Sequence, residues 1–232
     1  MKFSVIPVIL LLSARLIPVS GQEIVTVRHD AIVLDNGSLV REIRAGEGAV
    51  TSVRLSMSGW EENYISEGRE FSFLLNGRLV DGRSGWYVTE SEQIRDERSG
   101  QGVRLRLRGR EGLEDLQLDV HYMLYPGLPL VRKWLTFSNT GDGEMMLEAI
   151  NVEDLQTVFS QIQTVVLHNY GRMKHLGSFT GNWYDPVVVL HNMPERRGMA
   201  AGNEAPGVLK RTAYHTVENN LEIGLTGTGQ EF

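Results

Sequence analysis

The densest run of groups able to hold a small polar molecule lies between Gly181 and Pro186, where Asn182, Trp183, Tyr184 and Asp185 follow one another. Sugar recognition needs an aromatic face beneath the apolar side of a ring and polar groups on its hydroxyls. Trp183 and Tyr184 supply the first, Asn182 and Asp185 the second, and Arg172 and Lys174 lie farther back on the same polar stretch. This composition makes a poor strand and a plausible rigid loop, and binding residues concentrate in loops on a stable scaffold. The plainer reading makes Trp183 a core anchor and Asp185 a turn residue. Trp183, Asp185, Asn182, Tyr184 and Arg172 are the candidate substrate contacts.

Catalysis is harder to place. A retaining glycosidase needs two carboxylates about 5–5.5 Å apart across one bond. Asp185 and Glu204 are the carboxylates to inspect, each in a segment rich in Gly and Asn. An aldose mutarotase would instead need a His and a Glu as acid and base, which His168 or His191 with Glu204 would supply. His168, His175, His191 and His215 cluster in the last third of the chain, but without cysteine and without the short spacings of zinc sites they read as neutral, hydrogen-bonded side chains. No nucleophile elbow, phosphate loop or complete dinucleotide fingerprint occurs. No metal, cofactor or catalytic residue is assigned.

The elements that must position these groups are strands. Val103, Leu105 and Leu107 alternate with Arg104, Arg106 and Arg108, so one row faces a core and the other faces water or an acidic surface. Leu116, Leu118, Val120, Tyr122 and Leu124 repeat the pattern with Gln117, Asp119 and His121 outside, and Trp134 is assigned to the core of the following strand. Asn76-Gly77 between two strand-like runs predicts a type I′ hairpin, and Asp35-Asn36-Gly37, Asp81-Gly82 and Thr140-Gly141-Asp142-Gly143 mark further turns. Over Glu153 to Val166 the apolar spacing of three and four also fits a short helix. The fold class expected is all-β, an antiparallel sandwich.

The totals set bounds on this. Met1 to Gly21 reads as a secretory signal, with Lys2, an apolar run from Val5 to Leu12, and small residues before Gln22. Residues 22–232 then form one large β domain, exported to the envelope or medium. The chain has no cysteine, so its stability must come from a buried core. A net charge of −6 gives no basic footprint for nucleic acid.

One stretch carries a family likeness: Tyr125-Pro126-Gly127-Leu128-Pro129-Leu130-Val131-Arg132-Lys133-Trp134-Leu135, followed by Phe137-Ser138-Asn139-Thr140-Gly141-Asp142. A second block joins His168 to Arg172, Gly181 to Pro186, Arg197 to Ala200 and Gly202 to Gly207. Together they resemble the N-terminal domain of family 36-type glycoside hydrolases, the α-galactosidase group. The R-G-x-S-S-H-like segment of the commonest members is absent. The resemblance implies a β-supersandwich of the galactose-mutarotase-like kind. It also implies a following (β/α)₈ barrel that carries both catalytic aspartates, an α-linked galactoside as substrate, and homo-oligomer contacts. The chain reads as a fragment ending near the linker to that barrel. The function expected is a non-catalytic domain that shapes the substrate cleft. A stand-alone carbohydrate-binding module and, third, an aldose mutarotase are the alternatives.

Overall fold

The computed structural model describes residues 2–12, 23–28, 31–83, 85–168, 171–181, 187–204, 210–225 and 230–231, with the backbone alone at 2–12, 168, 171–176 and 230–231. Among these residues every regular element is a strand and every strand pairing is antiparallel. The first five strands are β1 (Lys2–Leu12), β2 (Val25–Val27), β3 (Ala31–Asp35), β4 (Leu39–Gly46) and β5 (Ala49–Met57). Next come β6 (Ile65–Leu75), β7 (Arg78–Asp81), β8 (Trp86–Arg95), β9 (Gln101–Gly109), β10 (Leu116–Leu124) and β11 (Leu130–Asn139). After them run β12 (Met146–Thr157), β13 (Ile162–His168), β14 (Gly171–Leu176), β15 (Phe179–Gly181) and β16 (Val187–Asn192). The last are β17 (Arg197–Asn203), β18 (Lys210–His215), β19 (Asn220–Leu225) and β20 (Gln230–Glu231).

Three sheets result. A nine-stranded sheet has the order β14-β13-β16-β17-β1-β11-β10-β9-β8. A seven-stranded sheet runs β15-β18-β19-β12-β6-β7 with β20 added to β12, and β2 to β5 form a four-stranded meander. One apolar cluster extends from Ile24 to Ile223 and draws on all three. At its centre Phe71 and Phe73 stack, and Trp86 and Phe137 meet them edge-on or tilted, with Phe73 and Phe137 centroids 5.1 Å apart at 85°, geometries that ring quadrupoles favour.

The local readings follow from simple causes. Val103, Leu105 and Leu107 are fully buried and Arg104, Arg106 and Arg108 are not, because the pleat sends alternate side chains to opposite faces. Asn76 and Gly77 take φ of 51° and 77° between paired Leu75 and Arg78, the positive-φ pair that a type I′ turn requires.

Two expectations are overturned. Glu153 to Val166 is not helical but forms the end of β12 and the start of β13. Its mixed spacing arises because β12 is bulged against β6, with register shifts and Ala149 at φ 48°, so that Val152, Glu153, Asp154 and Leu155 are buried in succession. Trp134 is not core. In β11 the inward row is Val131, Lys133, Leu135 and Phe137, and Trp134 lies half-buried on the outer face. Val131, Leu135 and Phe137 set the inward parity, and Lys133 on the same row meets the buried carboxylates of Glu70 and Glu153.

Residues 2–12, expected to be part of a leader, form β1 between β17 and β11.

Candidate functional site

The predicted loop Asn182, Trp183, Tyr184 and Asp185 lies outside the described residues. Its flanks are placed: Gly181 ends β15 opposite Thr212 in the seven-stranded sheet, and Val187 opens β16 opposite Gly202 in the nine-stranded sheet. Arg172 sits in β14 opposite Leu167. Of the mutarotase-like partners, His191 pairs with Gly198 while Glu204 follows the opposite end of β17. Six residues of strand at about 3.3 Å each separate those ends by roughly 20 Å, too far for one acid–base pair. His168 lies at the same end as Glu204, since Leu167 pairs with Val187 and Val187 with Gly202.

Glu204 instead helps line a cleft of about 390 Å³ with Arg98, Ser99, Tyr125, Pro126, Leu128, Leu130 and Arg132. The Tyr125-Pro126-Gly127-Leu128 turn builds its wall. Pro126 suits the second turn position, Gly127 takes φ 71° at the third, and Leu128 N donates to Tyr125 O at 3.1 Å, a type II geometry. Asn36, buried in the turn between β3 and β4, donates from Nδ2 to both Tyr125 O and Leu128 O at 2.7 Å. Its Oδ1 accepts from the backbone of Ser38 and Leu39. The four-stranded meander therefore holds the turn rigid from below.

Three of the polar residues lining the cleft, Tyr125, Arg132 and Glu204, have side-chain partners. Tyr125 Oη donates to Asp96 Oδ2 at 2.9 Å, and Asp96 Oδ1 accepts from the backbone of Arg98 and Gly100. Partial desolvation works against the Asp96 carboxylate, yet these hydrogen bonds, from Gly100 first, hold its pKa below the usual range. Burial and the Asp96 bond push the Tyr125 phenol up. Arg132 Nε donates to Glu204 Oε2 at 3.0 Å, and the Arg132 guanidinium lies 5.8 Å from the Trp134 ring centre. Trp134 in turn stacks on His121, its direct cross-strand neighbour, at 4.6 Å and 7°. Burial, and then the charges of Arg104 and Arg106, outweigh Asp119 and lower His121 to about 4, so the ring is neutral at pH 7. Glu204, the acid that lines the cleft, is paired with Arg132, and a neutral His121 near Thr136 Oγ1 is not poised as a general acid.

A second cluster was missed in the sequence because it is inside the protein. Arg41, Glu70, Glu153, Lys133 and Tyr122 are all fully buried where the three sheets meet. Arg41 Nη1 donates to Glu153 Oε1 at 2.5 Å and Nη2 to Glu70 Oε1 at 2.7 Å, while Nε donates to Ser52 Oγ. Lys133 Nζ donates to Glu70 Oε1 at 2.7 Å and Glu153 Oε2 at 3.1 Å, and Tyr122 Oη donates to Glu70 Oε1 at 2.6 Å. Burial alone would raise the Glu70 carboxyl, but Lys133, Arg41 and the hydrogen bonds from Lys133 and Tyr122 hold it well below the carboxylate range. Two cations balance two anions with no solvent contact, so the cluster cannot meet a ligand. The available signal was parity, since Lys133 falls on the row of Val131, Leu135 and Phe137.

Among the described residues no three His, Asp or Glu side chains gather into a metal site.

No protein-family model and no curated protein matches the chain. Solved structures do. The GH36 α-galactosidase AgaB from Geobacillus stearothermophilus superposes with a TM-score of 0.60 at 11% identity over 89% of this chain. The galactosidase domain of the α-galactosidase-sucrose kinase AgaSK gives 0.59 at 12% over 89%. AgaA from Geobacillus stearothermophilus in complex with raffinose gives 0.58 at 11% over 87%. At these identities the likeness establishes the fold. The chain spans about two-fifths of the length of those enzymes, with 39%, 40% and 39% of them covered.

Proposed function

We propose that this β-supersandwich acts as the N-terminal, non-catalytic domain of an exported α-galactosidase-like retaining hydrolase. In this reading it packs against a (β/α)₈ barrel, forms one wall of the cleft for an α-linked galactoside, and supports homo-oligomer contacts. The carrying observation is the superposition of 89% of this chain on 39% of a GH36 α-galactosidase. Trp183, Asp185, Asn182, Tyr184 and Arg172 are the proposed sugar contacts.

The test is to assay the purified chain on an aryl α-galactoside and to titrate it with galactose. No turnover is expected. Turnover at rates above the uncatalysed reaction overturns the assignment, and tight galactose binding without turnover favours a stand-alone carbohydrate-binding module. For the loop, Trp183→Ala in the enzyme joined to its barrel should raise KM with little change in Tm. A sharp fall in Tm with KM unchanged makes Trp183 a core residue, because burying a Trp is worth about 3–5 kcal/mol.

A further inference from the structure

The apolar N-terminal run is as good a strand as it is an export leader. Val5, Ile6, Val8 and Ile9 are β-branched, and β-branched residues suit a pleated, half-buried surface. In the structure this run is β1, antiparallel to β11 through eight register partners from Lys2↔Ser138 to Leu11↔Leu130, and to β17 through five from Val8↔Asn203 to Leu12↔Met199. Its proline agrees with this placement. Pro7 cannot donate to a ladder, and Ile6 and Pro7 fall within the register shift between Val5↔Leu135 and Val8↔Lys133, so both oppose Trp134 in a bulge.

The neighbours are built around an occupied position. β11 and β17 share no pairing of their own, and β1 is the strand that joins β8 to β11 with β13, β14, β16 and β17. Val131, Leu135 and Phe137 on one side of the gap and Met199 and Ala201 on the other are buried. Ile9 pairs with Arg132 in β11 and with Gly202 in β17, and the ion pair from Arg132 to Glu204 spans the same gap at 3.0 Å. An empty gap would expose two interior edges of backbone donors and acceptors, which are templates for another strand.

We propose that the gap between β11 and β17 is a strand-acceptor slot whose occupant is residues 2–12, so that the segment read as a leader also joins the two halves of the nine-stranded sheet. Binding is by main-chain ladders on both sides, the mode by which an added strand completes an open sheet. Removal of the segment at Gly21 opens the slot. The inference does not depend on the glycosidase activity, but it opposes removal of residues 1–21 on export, which would take β1 out of the sheet.

The test uses the whole chain, residues 1–232, made by cell-free synthesis so that no peptidase trims it, with a protease site placed within residues 13–21. After folding, the site is cut and the sample is run on native size exclusion. The N-terminal fragment should co-elute with the body and leave only in denaturant. A labelled synthetic peptide of residues 2–12 in excess should then exchange into the complex. Ile9→Pro, which removes a ladder donor from an interior strand, should lower Tm by roughly 5–10 °C in the uncut chain. If the fragment separates on cutting while the body melts at the uncut temperature, β11 and β17 close without β1 and the proposal fails. An unchanged Tm for Ile9→Pro overturns it as well. Should Ile9→Pro fail to fold, the cut wild-type chain still decides.

Discussion

The nine-stranded sheet carries a charge system on each face, and the two obey different physics. On the inner face Lys133 of β11 and Tyr122 of β10 join Arg41, Glu70 and Glu153 from the other sheets, all without solvent contact. On the outer face Arg104 pairs with Glu90 and Glu92, and Arg106 pairs with Glu90 and Asp119, a ladder across β8, β9 and β10 whose arginines keep 23% and 29% exposure. Water screens the second set, so each pair contributes little. Nothing screens the first, and each ion there depends on its partners to offset its desolvation. The inner cluster also holds Glu70 at φ 68°, a backbone region that disfavours a residue with a Cβ. The outer ladder shapes a surface, whereas the inner cluster sets how three sheets meet.

The largest effect should come from breaking the inner cluster by one charge. Arg41→Met leaves Glu70 and Glu153 facing only Lys133 and should cost about 3–5 kcal/mol in urea unfolding. Exchanging the whole set, Arg41→Met with Glu70→Leu, Glu153→Leu and Lys133→Met, should restore most of that loss, because no unpaired ion remains. A quadruple variant as unstable as the single one would show that the cluster acts by something other than charge balance.

Acid sharpens the contrast. The folded-state pKa of Glu70 is depressed, so its contribution is complete above the unfolded value near 4.3 and is lost as pH falls through the lower folded value. Unfolding midpoints followed below pH 4 should drop more steeply for the wild type than for Glu70→Gln. His121 on the outer face is also depressed, to about 4, and is favoured neutral in the fold. Its contribution is complete above an unfolded pKa near 6.5 and fades as pH falls toward 4. NMR titration should find its ring still neutral at pH 5.5, and His121→Gln should flatten stability between pH 6.5 and 4.

The smallest effect belongs to the ladder. A double-mutant cycle with Arg106→Ala and Glu90→Ala should give a coupling of about 0–1 kcal/mol that shrinks with added salt. A salt-insensitive coupling above roughly 2 kcal/mol would erase the distinction between the two faces.

Local chemistry in the sequence was enough for the all-β class, the inward row of β9 and β10, and the Asn76-Gly77 hairpin. Each of these rests on neighbours a few residues apart: the pleat fixes alternation, and positive φ selects Asn and Gly. The parity of β11 was legible in the alternation of Val131, Leu135 and Phe137 with Thr136 and Ser138, but Trp134 was read onto the wrong row. What that alternation did not show is how a cation is tolerated on the inward row: Glu70, 63 residues away, and Glu153, 20 away, give the buried Lys133 its partners. The helical spacing at Glu153 to Val166 failed for a similar reason, because bulges against β6 rewrite the period of β12. The cleft was legible only in pieces. Tyr125-Pro126-Gly127-Leu128 announced a turn and Glu204 a carboxylate, but Asn36 reaches that turn across 89 residues and Arg132 reaches Glu204 across 72. A sequence shows what each residue can bond to, and only the closed sheets decide which of those groups come within 3 Å and which are left without water.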